Sequence, residues 1–147
     1  MKYIRLFALA ILMMAGACQT ATAQKNIQVP KAYMFGFAAS FNDSTVFFTQ
    51  IQEVDSVWIN KKKGFLAGWS QYSYQLRNYC ASEMNLPSRT CVVVSSIKRK
   101  DVEKKFDKMM KKYRGSKKGK KGKNDKYYDI RLISTDNFRF ETVDMSE

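Results

Sequence analysis

Histidine is absent from the 147-residue chain. That removes the commonest general base and the commonest zinc ligand. Cysteine is scarce, at three residues, and no two stand in C-x-x-C spacing. Carboxylates number 13 against 26 Lys and Arg, and no pair of them has a spacing that suggests acid–base work. No Gly-rich phosphate loop follows a strand, and no G-x-S-x-G elbow occurs. The sequence thus implies no catalytic residue, no metal and no cofactor. An enzyme built on it would have to work through Lys, Tyr and Asp alone. Long apolar runs are nearly missing too. The one present, from Leu6 to Ala17, has twelve residues, short of the about 20 that span a bilayer.

That run is instead the middle of a three-part export signal. Lys2 and Arg5 precede it, and Ala21-Thr22-Ala23 places small residues where a signal peptidase reads. Residues 1–23 are therefore expected to be a signal peptide, and residues 24–147 a single exported domain, periplasmic or secreted. Cys18 offers a second reading as a lipidated first residue. The large aliphatic residue that such a site wants three places upstream is replaced by Ala15, so cleavage after Ala23 ranks first. No second apolar run of spanning length follows, so no transmembrane span is expected once the signal is removed.

Two cysteines remain in the exported chain, Cys80 and Cys91. An oxidising compartment makes a Cys80–Cys91 disulfide a candidate. Two buried thiols are the alternative, because a small apolar residue would suit both places.

Hydrophobic periodicity divides the chain into elements. AYMFGFAASF (32–41) alternates, with Tyr33, Phe35, Phe37 and Phe41 on one face and Met34, Gly36, Ala38 and Ser40 on the other. The small residues imply something packed closely against that second face. Asn42-Asp43-Ser44 signals a turn, and TVFFTQIQEV (45–54) a second strand. Residues 70–85 read as a helix, with Ser70 as its N-cap and Asn85 and Pro87 as its stop. CVVVSSI (91–97) is a continuous β-branched run that suits a strand covered on both faces. Val102, Phe106, Met109, Met110 and Tyr113 mark an amphipathic helix over 98–114. YYDIRLI (127–133) and FRFETV (138–143) read as two last strands. The order β-β-α-β-α-β-β predicts an α+β fold: a two-layer domain with a mixed, mostly antiparallel sheet and two helices mainly on one face.

The charge is local. Residues 98–126 hold 15 basic and 4 acidic side chains, and the rest of the exported chain holds 9 of each. Lys104, Lys105, Lys108, Lys111 and Lys112 occupy the polar face of the second helix. Lys117, Lys118, Lys120, Lys121 and Lys123 follow in a stretch, RGSKKGKKGK, made only of Lys, Arg, Gly and Ser. Its composition predicts a solvated basic linker at about 114–126. The ten lysines together are the candidate surface for a polyanion: anionic lipid, lipopolysaccharide or acidic glycan. Specific nucleic-acid recognition is disfavoured, because the stretch carries no aromatic residue to stack on bases and little Arg. Ser56, in Asp55-Ser56-Val57, fits the Asp–Ser/Thr–apolar triplet of bacterial O-glycosylation and is the glycosylation candidate.

Through AYMFGFAASFNDSTVFFTQIQEVDSVWI, then SYQLRNY, then RTCVVV, the chain resembles a group of small exported proteins from gut-type Gram-negative bacteria. The resemblance implies export and a bacterial envelope setting. It brings no activity and no functional residue. The expectation is a non-enzymatic exported domain that binds or assembles, its partner an anionic envelope surface or another envelope protein. The alternatives are a weak polyanion binder and an envelope enzyme without His or metal.

Overall fold

The structure, a computed structural model, describes residues 25–115 and 127–146. The expected signal peptide with Cys18, and Lys117, Lys118, Lys120, Lys121 and Lys123, lie outside the described residues. The strands are β1 (Asn26–Ala39), β2 (Thr45–Thr49), β3 (Gln52–Asn60), β4 (Thr90–Ser96) and β5 (Asp129–Ile133); the helices are α1 (Trp69–Ser82) and α2 (Arg99–Arg114). The fold is the α+β class expected, with two helices and one mixed sheet of five strands.

β1 organises the sheet, because β2, β3 and β4 all pair with it antiparallel. β5 adds to β2 in parallel, with Val46 opposite Ile130 and Phe48 opposite Leu132. β2 and β3 are one long strand interrupted by a bulge. Phe37 faces Phe48 and Met34 faces Gln52, so three steps along β1 meet four along its partner. A bulge of this kind bends the strand and sharpens its twist. The second expected strand therefore runs on to Asn60, well past residue 54.

The bulge is fastened at Gly36. Its N–H donates to Thr49 Oγ1 at 2.8 Å, and both residues are buried. A Cβ on Gly36 would collide with Leu76 Cδ2 and crowd Phe140 Cζ at 3.1 Å. The small-residue face of β1 is thus the seat of α1, as its alternation implied. Ala32, Met34 and Ala38 pack there with Tyr72, Leu76 and Cys80.

The layering differs from expectation. Phe35 and Phe37, on the opposite face of β1, pack with Phe48, Val102 and Met110 of α2. The helices therefore cover opposite faces of the sheet, giving three layers instead of two. The reason lies in β4: Cys91 and Val93 join the α1 side while Val94 joins the α2 side. A run apolar on both faces needs cover on both. Each large side chain so buried contributes about 1.5–3 kcal/mol.

Residues 138–143 keep their alternation but form no strand. Phe138 and Phe140 point into the α1-side core. The backbone beside them bonds to glutamine side chains. Buried Gln52 donates to Phe138 O at 3.0 Å and accepts from Phe140 N–H at 2.9 Å. Gln75 of α1 does the same for Glu141, at 2.8 Å in each direction. Two amide side chains thus stand in for a neighbouring strand. The helix start differs as well. Gly68, at φ 70°, takes the N-cap position of α1, and Ser70 Oγ donates instead to Gln71 Oε1.

Two substitutions test this arrangement by urea unfolding. Gly36→Ala should destabilise by about 1–3 kcal/mol, because Leu76 and Phe140 must give way. Gln52→Met should cost about 1–3 kcal/mol by leaving a buried carbonyl and N–H without partners. A loss under about 0.5 kcal/mol in both variants would contradict the packing described.

Candidate functional site

The amphipathic pattern of α2 places its lysines as expected. Val102 and Met110 are buried, while Lys104, Lys105, Lys108, Lys111 and Lys112 are all exposed. None of the five forms an ion pair among the described residues. The ion pair on this helix is Arg99–Glu103, at 2.9 Å. Lys111, Lys112 and Arg114 fall in the last turn, where cations offset the negative end of the helix dipole.

That last turn overlooks a cleft absent from the sequence reading. Phe37 from β1, Phe41 from the hairpin turn, Val92 from β4, and Tyr113, Tyr127 and Tyr128 line a cavity of about 670 Å³. Tyr113 sits 5.0 Å from Tyr128 and 4.8 Å from Phe37, centroid to centroid. Phe41 is fully exposed and Tyr127 is 84% exposed. Lys112 Nζ lies 6.0 Å from the Tyr113 ring, within cation–π range. Polar groups complete the rim: Ser40, Asn42, Asp43, Ser44 and Thr90. In sequence the basic stretch separates Tyr113 from Tyr127 and Tyr128. In the fold they are neighbours, because β5 returns beside β2 at the end of the sheet where α2 finishes. The only signal in the sequence was that these tyrosines flank the basic stretch.

The rim is held by Arg89, whose side chain is only 4% exposed. It donates to Asp43 Oδ2 and to Thr45 O, each at 2.6 Å, and lies over the Phe47 ring. Asp43 in turn accepts from Thr45 N–H at 3.0 Å, which makes Asn42–Ser44 the expected turn. Its carboxylate is thereby committed to structure. Burial pushes the Tyr113 phenol up from its ordinary value, with neighbouring Tyr128 adding to the effect. At neutral pH Tyr113 is a hydrogen-bond donor and not a base.

The chain matches no family model, no curated protein and no solved structure.

Ser56 is exposed in β3, with a left-handed φ of 54°. It falls where the β1–β3 ladder skips Pro30, between Val29↔Val57 and Lys31↔Asp55. No group of three or more His, Cys, Asp or Glu capable of holding a metal occurs among the described residues.

The two remaining cysteines are brought together, as free thiols. Buried Cys80 closes α1, and half-buried Cys91 opens β4. Interaction with the neighbouring thiol lowers the Cys80 pKa and raises that of Cys91; burial pushes both up, and Arg89 favours both thiolates. The protein isolated from an oxidising compartment should therefore carry an intramolecular Cys80–Cys91 bridge. Alkylation before and after reduction, read by mass spectrometry, checks this. Reduction should lower stability by about 2–3 kcal/mol, as expected for a short loop. Full alkylation of both thiols without reductant would exclude the bridge.

Proposed function

We propose that this protein is a non-catalytic exported domain that binds acidic glycan at the envelope. The lysine face of α2 supplies charge, and the aromatic cleft at its end supplies the contact surface. The observation that carries this reading is the cleft's position. It lies at the last turn of a helix bearing five exposed lysines that form no ion pair among the described residues. A pyranose ring has apolar C–H faces and a polar hydroxyl edge. Ring faces such as Phe41 and Tyr127 suit the first, and Asn42, Ser40 and Thr90 suit the second. Anionic groups along a glycan would meet Lys108, Lys111 and Lys112, with affinity that falls as salt rises.

Three features favour this over a purely electrostatic surface and over catalysis. Two large aromatic side chains stand in solvent beside the charge, and exposed apolar groups so gathered mark contact sites. Asp43, the carboxylate that lines the cleft among the described residues, is held in the turn by Arg89 and by the Thr45 N–H. Within the cleft, burial raises the Tyr113 pKa and so keeps its phenol protonated. The export reading of residues 1–23 supplies the setting in which envelope glycans occur.

The test is titration of the full chain with oligogalacturonate. Neutral malto-oligosaccharide, anionic vesicles and duplex DNA serve as comparators, at low and physiological salt. Oligogalacturonate should bind at physiological salt and better than its neutral counterpart. Replacing Lys108, Lys111 and Lys112 together by Gln should weaken binding about ten-fold and flatten its salt dependence. Phe41→Ala should weaken it several-fold and leave the salt dependence unchanged, as expected for loss of a stacking face. Equal binding of vesicles and DNA, with no effect of Phe41→Ala, would reduce the surface to non-specific charge.

A further inference from the structure

Among the described residues β3, β4 and β5 each have a side without a full partner strand, as does the first half of β1, and β3 and β5 are defended. β3 carries Glu53 and Asp55 and is distorted at left-handed Ser56. β5 is five residues long and includes Asp129 and Arg131. Charge, irregularity and shortness are the usual protections of an edge. β4 has none of them. Its sequence, TCVVVSS, holds no charge, no Pro and no residue of positive φ. Its one partner strand among the described residues is β1.

The undefended edge lies in a slot. Two cavities, about 630 and 410 Å³, follow β4 from Ser95 to Thr90 and share Trp69, which is largely exposed. Helix α1 forms one wall, and α2 contributes Lys105 to the other. The rim cations are Lys63, Lys105 and Arg77, none in an ion pair among the described residues. No carboxylate among the described residues lines either cavity. Ser73 Oγ, which borders the smaller cavity, is buried with no hydrogen-bond partner among the described residues.

We propose that the β4 edge takes an extended acidic peptide segment of a partner protein as a sixth strand. Backbone pairing along Thr90–Ser96 provides the affinity, and the rim cations select acidic side chains. Charge argues against a second copy of this chain, since strand-to-strand pairing would bring the rim cations of one copy towards those of the other. This inference goes beyond the glycan reading; Lys105, Thr90 and Val92 border both surfaces, so the β4 amide readout, which glycan binding in the cleft does not require, separates the failure of one from that of the other.

The probe is an acetylated, amidated heptapeptide alternating Glu and Val, added to the full chain. Controls are the Lys–Val peptide and a Glu–Val peptide N-methylated at alternate residues. The readout is hydrogen exchange of the β4 amides. The Glu–Val peptide should slow exchange of the outward-facing β4 amides about ten-fold or more, and both controls should leave it unchanged. The double variant Arg77→Glu, Lys105→Glu, which alters only exposed side chains, should lose that protection and keep the native exchange pattern elsewhere. Binding of the Glu–Val peptide without β4 protection would overturn the proposal, as would no binding at all. So would β4 protection that rises with protein concentration alone, alongside a dimer in sedimentation; the edge would then belong to a second copy.

Discussion

The fold depends on one missing side chain. At Gly36, β1 comes close to everything else. Its N–H is held by Thr49 across the bulge, Leu76 of α1 rests where a Cβ would stand, and Phe140 closes the space from the C-terminal segment. Glycine inside a strand weakens it locally, and its usual justification is a close approach of this kind. Here the approach is made by three separate parts of the chain. The bend of β2 into β3, the seating of α1 and the burial of the C-terminal segment are all set at that point.

From there the two faces of β1 divide the work. The small face takes α1 and the C-terminal segment, which Gln52 and Gln75 clasp by their amides. The aromatic face takes α2, through a chain of ring contacts from Phe35 to Phe106 and from Phe37 to Tyr113. Because α2 is packed by its apolar stripe, its lysines must face solvent. Because Tyr113 ends that stripe, the ring ladder continues past the helix into the cleft. The charged surface and the aromatic surface are therefore consequences of one packing solution.

Much of this was legible in the sequence. The alternation of 32–41 announced both the strand and a close neighbour on its small face. The period of 98–114 placed α2 nearly to the residue and put its five lysines outside. What escaped was whatever depended on partners distant in sequence. FRFETV alternates as a strand does, but side-chain amides satisfy its backbone, and periodicity cannot distinguish a ladder from a glutamine clasp. The continuous apolar run of β4 pointed to cover on both faces, yet the helices were expected mainly on one. The cleft was invisible because its tyrosines stand on either side of the basic stretch, and only the return of β5 beside β2 joins them. Arg89 gave no local sign of its reach to Asp43, 46 residues away.

Packing on the aromatic face of β1 assembles a cleft across the two ends of the basic stretch. The most direct measurement is the nuclear Overhauser contact between ring protons in the free protein. Cross-peaks are expected between Tyr113 and both Tyr128 and Phe37, whose centroids stand 5.0 and 4.8 Å away. Cross-peaks from Tyr113 to Phe37 alone, with none to Tyr128, would show a packed helix without the assembled cleft and would contradict that expectation.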